Sequence, residues 1–209
     1  VLSGKRVVIS TATRALQDQI LGHDLPILRD RLGLTLSVAV MKGLGNYLYL
    51  RRWERFQGSQ QPRDLAAALR LQHVERWVQA TATGDVAERD DIPEQDPLWS
   101  EITSGSDTRL GAGCAHHEQC FVTAMRARAE AARIVIVNHH LFFADLALRG
   151  PHPGHVLPDY DAVIFDEAHQ IEDVATDFFG VRVTNARIAR LIGETERNLT
   201  QATRLELAD

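Results

Sequence analysis

The run Asp161-Ala162-Val163-Ile164-Phe165-Asp166-Glu167-Ala168-His169 decides the fold class. Its apolar stretch predicts a short buried strand of the kind found in parallel sheets. The strand ends in two adjacent carboxylates and, two residues on, a histidine. In an open α/β sheet, ligands bind at the carboxyl ends of strands, so Asp166 and Glu167 would project into the site crevice. There Asp166 can hold Mg²⁺, usually through water, and Glu167 can orient or deprotonate an attacking water, as in a motor ATPase. The competing reading is an acidic helix N-terminus, where carboxylates favour the helix dipole. The apolar run in front of the acids favours the ATPase motif.

The same rhythm recurs on moving outward. Arg133-Ile134-Val135-Ile136-Val137 predicts a strand, preceded by a helix from about Glu118 to Ala132 and followed by Asn138-His139-His140 and a helical run from Leu141 to Leu148. Arg6-Val7-Val8-Ile9-Ser10 predicts another, and Thr11-Ala12-Thr13 leads from it into a helix over Arg14 to Leu21 that Gly22 would stop. A short helix over Leu25 to Leu32, a strand within Leu34 to Met41 and the turn Lys42-Gly43-Leu44-Gly45 complete a βαβ pattern. Hydroxyls at the strand-to-helix turn, Thr11 and Thr13, suit either a phosphate contact or ordinary N-capping. The pair His139-His140 suits a polar network better than a metal, because adjacent residues rarely point at one ion.

The middle of the chain differs. Residues 46–80 read as two helices, the second carrying Leu65, Ala68, Leu69, Leu71, Val74, Trp77 and Val78 on an apolar face. From 42 to 80 there are seven Lys/Arg against three acids; from 81 to 108 there are eight acids against one base, Arg89. That acidic stretch also holds Pro93, Pro97, Gly84 and Gly105 and reads as a solvated loop or linker. Tyr47, Trp53 and Trp77 could stack on bases, but core packing is the better reading. The tail from Asn185 to Leu207 is amphipathic and reads as helical.

Composition sets limits. The 209 residues are 44% hydrophobic and 24% charged, enough for a real core, and a net charge of -5 excludes a polybasic binder while leaving room for a local basic groove. No apolar run is long enough for a transmembrane helix. The chain begins Val1-Leu2-Ser3 without Met or a signal-like segment, and so reads as an internal, cytoplasmic fragment. Two cysteines, Cys114 and Cys120, make no disulfide scaffold and would be ligands or buried thiols.

The ordered set Ser-Thr-Ala-Thr-x-x-Leu-Gln-x-Gln from Ser10, Lys-Gly-x-x-Asn-Tyr-Leu from Lys42, Cys-x5-Cys-Phe from Cys114, Val-Asn-His-His-Leu-Phe-Phe-Ala-Asp-Leu from Val137 and Asp-Glu-Ala-His from Asp166 resembles the DinG/XPD-like superfamily-2 DNA helicases, above all the DinG/YoaA branch. The resemblance implies an α/β fold, part of a RecA-like P-loop NTPase motor domain with a parallel sheet, interrupted by a mainly helical iron–sulfur-type insertion. Residues 1–41 and 123–169 would belong to the first motor domain, 42–122 to the insertion, and 170–209 to the start of an Arch-type region. Thr11 and Thr13 would fall in a motif that touches the DNA backbone. Asp166, Glu167 and His169 would serve Mg-ATP, water activation and coupling to the DNA-bound state. Lys42, Arg51 and Arg52 would line the path of single-stranded or forked DNA.

The sequence departs from that pattern in three places. No Gly-x4-Gly-Lys-[Ser/Thr] is present, since Gly4-Lys5-Arg6 precedes a strand instead of opening a helix. Of the family's four cluster cysteines only Cys114 and Cys120 remain; Tyr49 and Arg109 stand at the other two positions. Lys-Gly-Leu-Gly replaces the commoner Lys-Gly-Arg-Ser. A [4Fe–4S] cluster is therefore not expected, and a Cys2His2 zinc site using His116 and His117 is the weaker alternative. The expected function is a fragment of an ATP- and Mg²⁺-dependent DNA helicase. Its rival is a non-catalytic, helicase-like module that binds DNA or a partner.

Overall fold

A computed structural model of the chain describes residues 4–59, 64–149 and 154–180, together with Ile192 and Thr195. The helix expected over Asn185 to Leu207, like most of the 170–209 region, lies outside the described residues.

Four parallel strands form one sheet in the order β2-β3-β1-β4, with β1 at Val7–Thr11, β2 at Val38–Val40, β3 at Ile134–Asn138 and β4 at Ala162–Phe165. Its residues are the β-branched runs read from the sequence, and β3 is buried over Ile134–Val137 because helices cover both of its faces. Val135 and Val137 turn to the larger core, with Met41, Val122, Met125, Ala129, Phe142 and Phe143. Ile134 and Ile136 turn the other way, against Leu25, Ile20 and Leu36. The first of these faces is covered by α6 (Phe121–Ala131) and α7 (His139–Arg149), and the second by α1 (Arg14–Gln19) and α2 (Leu25–Leu32). The α/β fold with a parallel sheet is thus the one expected.

Two local expectations are corrected. Gly22 does not stop α1; the chain passes through a wide π-helical turn over Ile20–Asp24 straight into α2. Pro26 has no N–H for the carbonyl of Gly22, and a wider turn in which Leu25 N–H reaches Ile20 O accommodates it. The real stop is Gly33, in the left-handed region at φ 62. Finally, β4 is not buried: it is an edge strand of the described sheet, and Ile164 keeps 55% of its surface exposed.

Between β2 and α6 lies a second core. Helices α3 (Leu50–Ser59), α4 (Leu65–Ala80) and α5 (Pro97–Ile102) pack Trp53, Val74, Trp99 and Ile102 with Leu48, Val86 and Ile92. The stretch 81–108, expected as a solvated linker, is one wall of this core. Its acids are used locally: Asp85 and Asp96 cap short helices, Asp96 pairs with Arg70, Glu94 pairs with Arg14, and Glu88 accepts from Trp77 Nε1 at 2.8 Å. The apolar face expected on α4 is buried at one end only, since Val74 is buried while Leu65 is 76% exposed. Phe121 packs against both cores and joins them. Gly84 sits beneath its ring with φ +66, where an added Cβ would lie 2.3 Å from Phe121 Cγ.

Candidate functional site

Parallel pairing aligns three strand ends. Thr11 stands opposite Asn138, Ser10 opposite Phe165, and the N–H of Asp166 continues the ladder to Ser10 O at 2.9 Å. Successive side chains of β1 leave on opposite faces. Ser10 Oγ meets His139 Nδ1 at 2.7 Å, and Thr11 Oγ1 donates to Asp166 Oδ2 at 3.0 Å. Burial pushes the His139 imidazole below its ordinary value, outweighing the opposing backbone of Glu167 and Asp166 and the Asp166 charge. His139 is therefore a neutral, buried link between β1 and the start of α7, a polar-network histidine as expected. His140 instead packs edge-on against Phe178.

The two acids differ in setting. Asp166 is half-buried and tied to Thr11, while Glu167 is exposed and its Oε2 lies 3.4 Å from His169 Nδ1. Glu167 is the only described non-glycine residue with positive φ, at 51. Such a conformation costs on the order of 1–3 kcal/mol and persists only where surrounding structure imposes it. Asp166 is held by the ladder on one side, and α8 (Ile171–Phe179) follows the turn Ala168–Gln170 on the other.

The expected DNA contacts divide. Thr11 is fully buried and its hydroxyl serves Asp166, so it does not face a nucleic acid. Thr13 is exposed and caps α1, accepting from Leu16 N at 3.3 Å. Lys42 is buried, with its ammonium 2.8 Å from Asp85 and 3.1 Å from Asp18. Its charge is neutralised inside the protein and not presented to DNA. Arg52 is half-buried and donates to Thr103 O at 3.2 Å, fastening α3 to the end of α5. Arg51 is exposed on α3 and, with Arg52 and Arg55, lines an open groove whose other wall carries Glu101 and Asp107. Tyr47 and Trp53 are buried, and Trp77 packs edge-on against Trp99, so all three aromatics serve the core. Gln17 was unmarked by periodicity; it is fully buried, and its Nε2 donates to Met41 O at 3.1 Å.

The four positions expected around a cluster are engaged in pairs. Tyr49 Oη donates to Cys114 Sγ at 3.5 Å and accepts from Leu110 N at 3.4 Å. Arg109 donates to Thr123 Oγ1 at 3.1 Å and reaches the Cys120 sulfur. Cys120 occupies the N-cap position of α6. Burial would raise its thiol, but the hydroxyl and N–H of Thr123, the N–H of Val122 and Arg109 together pull it below the ordinary value. His116 bonds Glu54 at 2.9 Å and His117 bonds Gly111 O at 3.1 Å, so neither joins the cysteines in a zinc site. Among the described residues no group of three or more metal-ligating side chains is assembled. These residues do not fit a [4Fe–4S] cluster: two sulfurs are present, a phenol is a poor match for a sulfur-ligated centre, and a guanidinium stays protonated.

An α/β domain of this kind, with parallel strands ending together at an Asp-Glu-Ala-His run, is of the RecA-like helicase class. The DEAD_2 family matches residues 100–188. The ATP-dependent DNA helicases YoaA of Haemophilus influenzae and Escherichia coli are each 37% identical to the chain, over 88% and 98% of its length and 29% and 32% of theirs. The ATP-dependent helicase DinG of Mycobacterium tuberculosis is 32% identical over 89% of the chain and 31% of its own length. The chain belongs to this DinG/YoaA-like family and spans about a third of the length of the curated relatives it matches. No described helix is long and apolar enough to cross a membrane.

Proposed function

We propose that the chain is the acid-motif segment of an ATP-dependent DNA helicase of the cytoplasm, one that couples ATP hydrolysis to movement along single-stranded or forked DNA. The observation that carries this reading is the Thr11–Asp166 hydrogen bond of 3.0 Å, which locks the end of β1 to the acid motif while Glu167 stays open to solvent. In this reading residues 1–41 and 123–169 form part of the first motor domain, 42–122 the insertion and 170–209 the start of an Arch-type region.

Carboxylate and hydroxyl oxygens at the strand ends suit a hard divalent cation. Asp166, half-buried and oriented by Thr11, is the group that would hold Mg²⁺; the ion supplies charge neutralisation on the transferring phosphoryl group. Glu167 is free to take a proton from water or to orient it. His169, 3.4 Å from Glu167, is placed to report the state of that carboxylate to the helix behind it. Thr13, Arg51 and Arg55, the exposed members of their segments, are the groups left for DNA phosphates.

The test is Glu167→Gln in the complete protein. Nucleotide binding should persist and DNA-stimulated turnover should fall by at least roughly 10²-fold, the scale of a lost general base. Unchanged turnover would make the acid pair a helix cap and sink the proposal.

A further inference from the structure

At the positions where the sequence resemblance would place cluster ligands, the structure shows what Tyr49 and Arg109 do. Tyr49 is only 2% exposed, and its phenol oxygen lies between Cys114 Sγ and the N–H of Leu110. The segment carrying Tyr49 is also tied by its backbone to the far wall: Tyr49 N donates to Ile102 O at 2.9 Å, and Ser104 N donates to Tyr47 O at 3.0 Å. One position along from Leu110, Arg109 spans to Thr123 on α6 and to the Cys120 sulfur. Tyr49 is thus joined directly to Cys114, and Arg109 is tied to the first turn of the helix that Cys120 caps.

Charge tells the same story. A cluster held by four thiolates is a net anion, and cationic side chains around it are normal company. Here two guanidinium groups, Arg109 and Arg126, lie near each other, and each has a buried Nε without a hydrogen-bond partner among the described residues. Burial and the Arg109 charge both disfavour the charged form of Arg126.

We propose that positions 49, 109, 114 and 120 form a metal-free polar core, in which a phenol–thiol hydrogen bond and a guanidinium–sulfur contact cross-link the insertion in place of a [4Fe–4S] cluster. The insertion then draws its stability from this core and from the apolar cluster around Leu48, Trp53, Trp99 and Ile102. Its integrity is independent of iron and of oxygen.

Iron and acid-labile sulfide analysis of the protein purified without air tests this directly, and needs no catalytic activity. The expected result is no labile sulfide, no sulfide-to-iron absorption, and a thermal midpoint unchanged by chelator or air. About four irons and four sulfides per chain would overturn the proposal. A second arm uses Tyr49→Cys/Arg109→Cys. If the four positions share one locus, the double variant gains a cluster under reconstitution that leaves the wild type iron-free. A double variant that folds, by circular dichroism, yet takes up no iron would show that the positions do not converge. Either result is separable from the ATPase reading, which stands or falls on Glu167.

Discussion

Lys42 makes the sharpest test of the structure against the sequence, because the two assign it opposite environments. Its side chain is 4% exposed, and its ammonium bridges Asp85 at 2.8 Å and Asp18 at 3.1 Å. Asp85 is itself 18% exposed, so Lys42→Met would strand a mostly buried carboxylate. Removing one partner of a buried pair costs about 3–5 kcal/mol. Asp18 is more than half exposed, and its share is discounted to a surface value of about 0–1 kcal/mol. Asp85 also keeps its cap bond from Ala87 N at 3.0 Å, which softens the loss. A net destabilisation of about 2–4 kcal/mol follows, or a fall in Tm of roughly 5–15 °C for a chain of this size. Thermal unfolding of Lys42→Met, Asp85→Asn and the double variant measures it. The double variant should recover part of the loss, since the stranded charge is gone. If Tm moves by less than about 2 °C while the salt slope of DNA binding drops by about one, Lys42 faces phosphate and the buried-pair argument fails.

Two further outcomes follow from the packing. Gly84→Ala places a methyl 2.3 Å from Phe121 Cγ in a left-handed backbone, so overpacking and strain should together cost about 2–4 kcal/mol; the loss should shrink when Phe121→Leu is added, and an unchanged Tm for Gly84→Ala would refute the close approach. Burial pushes the Tyr47 phenol up to about 12 from 10.0. The folded state holds that proton more tightly, so the contribution of about 2–3 kcal/mol is intact below the unfolded value and lost as pH rises through the folded one; Tyr47→Phe should flatten the alkaline fall of Tm above about pH 10, and parallel profiles for the two proteins would count against it.

What the sequence revealed and what it concealed have physical causes. The strands were legible because parallel strands covered on both faces are written as unbroken β-branched runs, as in Ile134–Val137. β4 is equally apolar, and among the described residues strand order places it at the edge of the sheet. The stretch 81–108 looked solvated because acids, prolines and glycines dominate it. Its acids in fact cap helices and meet Arg70 and Arg14, leaving Ile92, Trp99 and Ile102 to form a wall. Periodicity on α4 named apolar residues correctly, but its partners reach only some of them, so Leu65 stays in water and Val74 does not. Lys42 beside a glycine turn gave no hint of two aspartates arriving from separate segments.

The candidate site was legible as separate motifs and illegible as a constellation, and β1 explains why. Ser10 and Thr11 are neighbours in sequence with nearly the same chemistry. A strand sends them to opposite faces. Pairing with β3 on one side gives Ser10 the buried His139, and pairing with β4 on the other gives Thr11 the carboxylate of Asp166. Neither hydroxyl is left for DNA, because β1 is the central strand of the three whose ends meet, and both residues are fully buried with a side-chain partner inside the protein. The first group free to meet an outside ligand on that side of the motif is Thr13, beyond the strand and on the rim of α1, and its hydroxyl is engaged only by a local cap. In the proposed function, contact with phosphate at this turn would therefore fall to Thr13, while Thr11 sets the position of Asp166.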